Sequence, residues 1–240
     1  MSRNAIRTGL FALGFISIST QIYLLREGYI VFYGNELILG IMLSVWMLLT
    51  GAGAWLGRHF ERIKGKSGFL LFLMFLLSVL PVLMQIKLNL YREVSIPRGA
   101  MAGVYDVLYA SFLVQLPFCL INGFLFTSLS IMLGKAGRAF SIESLGSLVS
   151  GALVNFIFLW VFPSGFSLLL ISGLFIIMVV YCSFFSGKRF IPWVTIPSAI
   201  LILVLLSMTN PRGISNKALY PAQRVVEQKE TPYGQLTVTE

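Results

Sequence analysis

Few residues in this chain are of types that do chemistry, and their spacing leaves little for them to do. His59 is the only histidine, so neither a bis-histidine haem nor a multi-histidine metal site can be built. It sits beside Arg58 on a basic connection, where a solvated interfacial role accounts for it. Cys119 and Cys182 are the two cysteines; they fall in different apolar runs without a CxxC spacing and read as small apolar packers. No serine or cysteine nucleophile with its base, no phosphate loop and no carboxylate pair stands out. The sequence implies no cofactor and no metal.

Polar residues gather instead at the edges of apolar runs. Gln21, Arg26, Glu27, Asn35 and Glu36 cluster around the end of the first run and the start of the second. Anchoring by Arg26 and Glu27 and capping by Asn35 and Glu36 explain most of this cluster. Both charge signs at a membrane edge also suit contact with a partner or ligand. Ser141 and Glu143 read as the cap and first turn of a fifth helix. Gln115, Asn122 and Asn155 lie deeper, as hydrogen-bonding groups between helices.

What must position these residues is a set of membrane spans. The chain is 57% hydrophobic and 11% charged, against about 45–50% and roughly 25% for a soluble domain. A helix needs about 20 apolar residues to cross a bilayer. Seven runs approach or reach that length: Gly9–Leu25, Leu37–Leu56, Gly68–Ile86, Val107–Leu133, Leu145–Phe162, Phe166–Phe185 and Ile191–Met208, none containing Lys, Arg, Asp or Glu. The expected fold is an all-α polytopic transmembrane bundle of about seven helices. Residues 1–208 form the bundle, and 209–240 form an extramembrane tail that ends on a strand over Gln235–Glu240. Lys87–Asp106 is expected as the one long connection, a small external cap, and Pro163-Ser164-Gly165 as a tight turn.

The net charge of +9 is loop charge, and nucleic acid is not implied. With the N-terminus in the cytoplasm, the connections up to residue 208 carry ten Lys and Arg inside and four outside. The positive-inside rule therefore favours that orientation and an external tail.

Small residues mark helix packing. Gly40, Ser44 and Gly51 share a face of the second run, Gly53 and Gly57 form a GxxxG, and Ser147 and Gly151 give the fifth run a similar face. They permit close contact within the bundle, with another membrane protein or with a second copy.

A resemblance follows from particular strings. Gln21-Ile-Tyr-Leu-Leu-Arg-Glu27, Phe32-Tyr-Gly-Asn-Glu-Leu-Ile-Leu-Gly40 and Leu49-Thr-Gly-Ala-Gly-Ala-Trp-Leu-Gly57 resemble the opening of membrane-bound spermidine synthase-like proteins of bacteria. Glu143-Ser-Leu-Gly-Ser-Leu-Val-Ser-Gly-Ala-Leu153 is similar to a later helix of theirs. The resemblance implies a bacterial inner-membrane domain joined to an aminopropyltransferase-like domain of Rossmann type, whose first strand the tail resembles. That family's Tyr-Gln pair is here interrupted as Tyr233-Gly234-Gln235. The donor-binding residues of such a domain would lie beyond Glu240, so the chain is expected to anchor rather than catalyse. A non-catalytic assembly subunit is the alternative, and a small-molecule carrier a weaker one.

Overall fold

A computed structural model describes residues 1–32, 36–62, 66–96, 102–186, 225–231 and 234–240. Its helices are α1 (Arg3–Val31), α2 (Glu36–Gly57), α3 (Lys66–Ser95), α4 (Val104–Leu133), α5 (Ala136–Leu153), α6 (Leu159–Val161) and α7 (Ser164–Phe184). A 3₁₀ turn, Arg58–Arg62, follows α2, and a π turn, Val154–Phe158, joins α5 to α6. Counting α5, the π turn and α6 as one pass, six helices are long and apolar enough to cross a membrane among the described residues. The expected seventh run, Ile191–Met208, lies outside them.

Side-chain pairs establish that the six passes alternate. Cys182 Sγ lies 3.4 Å from the Ala5 carbonyl, while Leu168 and Thr20 share a cavity wall; rising along α1 means falling along α7. Asn122 bonds Ser17 and Leu129 lies against Gly9, so α4 also opposes α1. Conversely, Gly14 meets Ser147, Ser19 bonds Ser150 and Ile18 touches Gly151, which makes α5 parallel to α1. Met1 and Glu27 contact Ser67 and Gln85, so α3 is parallel as well. Trp46 packs on Phe118, and Gly57 on Phe124, so α2 runs with α4. The α1 start therefore defines a proximal end of the bundle and the α1 finish a distal end.

The helices outrun their apolar cores. Ser2 caps α1 by accepting the Ala5 N–H at 3.2 Å, seven residues before the apolar run begins. Helix α3 continues through Ser95, which corrects the expected cap at Lys87–Asp106: its first nine residues are helical. Charged side chains do not end a helix; they only end the stretch that hydrocarbon tolerates. Helix α4 is capped at its start by Gly103, whose N–H donates to Asp106 Oδ2 at 2.9 Å, and at its end by Gly134 in the left-handed region at φ 73°. That left-handed stop suits glycine and lets Lys135 start α5 at once.

Two helix pairs make the tightest contacts, α2 with α4 and α1 with α5. At Gly14 an added Cβ would overlap the Glu143 carbonyl, and at Gly146 the Phe11 carbonyl. Gly53 lies equally close to Leu120, and Gly123 to Thr50. The absent side chains bring backbones together, as packing in lipid requires.

After the helices, β1 (Val225–Thr231) and β2 (Gly234–Thr239) form an antiparallel hairpin, whose second strand touches α1. The expected strand is thus the second of two, and its partner is the preceding segment, Val225–Thr231.

Candidate functional site

Three helices turn polar stripes inward towards the distal half. Helix α1 buries Ser17, Thr20 and Glu27; α3 buries Gln85, Asn89 and Arg92; α4 buries Ser111, Gln115 and Asn122. The α3 residues follow i, i+4, i+7 and the α4 residues i, i+4, i+11, so each set holds one face of its helix. Helices α1, α3 and α4 touch one another, and the stripes form a polar seam inside an otherwise apolar bundle.

Its centre is Glu27. The carboxylate is 6% exposed, and Gln85 Nε2 donates to its Oε1 at 3.0 Å. A carboxylate in so apolar a setting needs hydrogen-bonding partners to offset the cost of burial, and the Gln85 amide supplies one of them. Thr20 and Tyr23 on α1, Met84 and Pro81 on α3 and Leu168 on α7 complete a cavity beside this pair. At the seam's deep end Asn122 Nδ2 donates to Ser17 Oγ at 3.1 Å. Gln115, 1% exposed, has neither amide atom bonded to the described residues.

The structure divides the polar cluster expected from sequence. Glu27 points inward, Gln21 and Arg26 are half-buried, and Glu36 is exposed in the first turn of α2. Asn35 lies outside the described residues. Gln85, Asn89 and Arg92 were missed because Lys87 ends the apolar run just where their stripe begins. Following the i, i+4, i+7 spacing across that boundary would have found them.

Other expectations need correction. Ser141 and Glu143 are not caps: α5 begins at Ala136, so both are interior, and Ser141 Oγ donates to the Gly137 carbonyl at 2.9 Å. Glu143 is half-buried beside α1, its Oε1 3.2 Å from Ser147 Oγ. Asn155 bonds its own helix, donating to the Gly151 carbonyl at 2.8 Å. Among the packing residues, Gly53, Gly57, Ser147 and Gly151 face partner helices. Gly40 and Gly51 have nothing within 4 Å of a Cβ added there, so they pack against nothing among the described residues. Ser44 donates to the Gly40 carbonyl at 2.7 Å and lines an apolar groove with Tyr105, Tyr109 and Phe112. His59 is exposed, edge-on to Trp55 at 5.8 Å.

The alternating apolar passes and the embedded polar seam define a polytopic helical membrane protein. No family model, curated protein or solved structure matches the chain. Among the described residues no three His, Cys, Asp or Glu side chains converge as a metal site would need.

Proposed function

We propose that the chain is the membrane-anchoring domain of a spermidine synthase-like protein of the bacterial inner membrane, not catalytic by itself. The observation that carries this reading is the β1–β2 hairpin at 225–239. A two-stranded hairpin is marginal in water, and although β2 touches α1, Val226 and Val238 are 61% and 57% exposed on it. Apolar side chains on a short open sheet favour further strands or a packing partner, as an attached extramembrane domain would supply. In this reading the N-terminus is cytoplasmic and the hairpin external, and the bundle contacts lipid and other membrane proteins.

An antibody to residues 209–240 tests it on native membranes. A species well above 26.7 kDa that resists alkaline extraction is expected. A band only at that mass would overturn the anchoring role and leave an assembly subunit. The purified 240-residue chain should also give no calorimetric heat with decarboxylated S-adenosylmethionine beyond dilution, and micromolar binding would place a donor site among the helices.

The polar seam favours a second reading, a carrier of small polar solutes. Polar groups inside a membrane bundle are expensive and concentrate along solute paths. Proteoliposomes would decide it: solute uptake that Gln115→Leu abolishes supports the carrier, and vesicles as tight as protein-free ones exclude it.

A further inference from the structure

Helix α2 stops where it meets α4. An added Cβ at Gly57 would crowd Thr127 and the Phe124 carbonyl, and the 3₁₀ turn Arg58–Arg62 follows at once. Phe60 in that turn is 1% exposed. Its ring meets Phe124 of α4 edge-on at 6.3 Å, and Phe69 of α3 meets the same Phe124 ring at 5.9 Å. Lys66, the first residue of α3, holds its Nζ 5.6 Å from the centre of the Phe60 ring. Arg58 and His59 directly precede Phe60 and are both exposed. One aromatic node therefore places two cations and an imidazole at the proximal corner of α2 and α3. Neither Arg58 nor Lys66 forms an ion pair with the described residues, and residues 58–66 hold four Lys and Arg against one Glu.

From that corner towards the bilayer centre, α2 shows lipid a bare strip. Ser44, Leu48, Gly51 and Trp55 are exposed and follow i, i+4, i+7, i+11, one face of the helix. The strip is about 16 Å long, close to the depth of one leaflet, half of a hydrocarbon core about 30 Å thick. Its outer end is Trp55, 57% exposed and edge-on to His59 at 5.8 Å. Tryptophan suits the level where acyl chains meet headgroups. At the inner end Ser44 and Leu48 line an apolar groove of about 570 Å³ with Tyr109 and Phe112. The order along the helix is cation, indole, apolar strip, and an acidic phospholipid has the matching order from phosphate to chain end.

We propose that this corner binds one acidic phospholipid of the proximal leaflet, its phosphate on Arg58 and Lys66 and one acyl chain along the Ser44–Trp55 strip. Charge complementarity selects the headgroup. A guanidinium fork matches two phosphate oxygens and an ammonium adds a point charge, and basic positions at a membrane surface attract acidic lipids. A zwitterionic lipid brings its own cation to the same corner and loses that gain. The site stands apart from both functional readings, because binding requires neither an attached domain nor solute movement.

Native mass spectrometry of the purified chain in a neutral detergent, titrated with phosphatidylglycerol or with phosphatidylcholine of the same acyl chains, tests the site. One phosphatidylglycerol should be retained saturably, and phosphatidylcholine at least tenfold more weakly. Arg58→Gln with Lys66→Gln should raise the half-saturating phosphatidylglycerol concentration at least tenfold, whereas Arg58→Lys should leave it within threefold. Lys135→Gln with Arg138→Gln removes the same charge from the same end and should leave it within twofold. Glycerol phosphate, which has no chains, should not displace the lipid at tenfold excess. Equal weakening by the two Gln pairs would mean attraction to the leaflet at large, and equal retention of the two lipids would mean annular contact only. Either result, or displacement by glycerol phosphate, overturns the proposal.

Discussion

Gly14, Gly53, Gly123 and Gly146 each face the backbone of another helix so closely that a methyl group has no place. What would have to move is a backbone carbonyl held in a helical ladder, not the end of a flexible side chain. Gly14→Ala and Gly123→Ala should each destabilise the bundle by about 1–3 kcal/mol, as overpacking does in tight cores. Gly40→Leu and Gly51→Leu should leave stability within about 0.5 kcal/mol, since surface positions rarely do more. Melting by size-exclusion fluorescence separates the two groups, and equal losses would mean that the open α2 face is covered in the assembled protein. Sequence showed that small residues mattered but not which ones, because glycine spacing is the same on a packed face and a bare one. It identified Gly53, Gly57 and Gly151, and it missed Gly14 and Gly123, which have no GxxxG partner to draw notice.

At the scale of elements, the six described passes were legible from apolar runs alone, and their ends were not. Hydropathy reports where hydrocarbon lies, whereas a helix ends where capping or a left-handed residue ends it, as Gly134 does for α4. The seam was half legible for the same reason: Glu27 stood out as charged, while Gln85 and Asn89 were hidden by the charged boundary between them. Helix α5 is the least enclosed pass, with 17% of its most apolar window buried. Phe156 and Leu148, 80% and 69% exposed, are placed to meet lipid. Their replacement by alanine should cost little, because lipid tails match the side chains they replace. Leu71→Ala and Phe118→Ala remove fully buried groups and should each cost about 2–5 kcal/mol through the voids they leave. Unfolding titrations in mixed micelles test this, and a large loss at Phe156 would point to a protein partner on that face.

For the whole molecule, alternation puts Ser67 at the proximal end and Ser95 at the distal end. The loop charges favour a cytoplasmic proximal end. Both native cysteines are buried, which keeps the background of a thiol-labelling experiment low. On intact cells an impermeant reagent should label Ser95→Cys and leave Ser67→Cys untouched. The reverse pattern would invert the protein. If the apolar run Ile191–Met208 spans the membrane, as the sequence leads one to expect, Ser215→Cys should label with Ser95→Cys.

The parallel pairing of α1 with α5 also sets a schedule. Two parallel spans cannot be neighbours in sequence, and more than a hundred residues separate Gly14 from Gly146. A ribosome adds about 5–20 residues per second, so α1 waits on the order of ten seconds in the bilayer before its mate is made. Throughout that interval its glycine groove is bare, open to a chaperone or to the same groove on a second nascent chain. Ribosome pausing between α1 and α5 would lengthen that exposure, so yield should depend on translation speed in this stretch more than anywhere later.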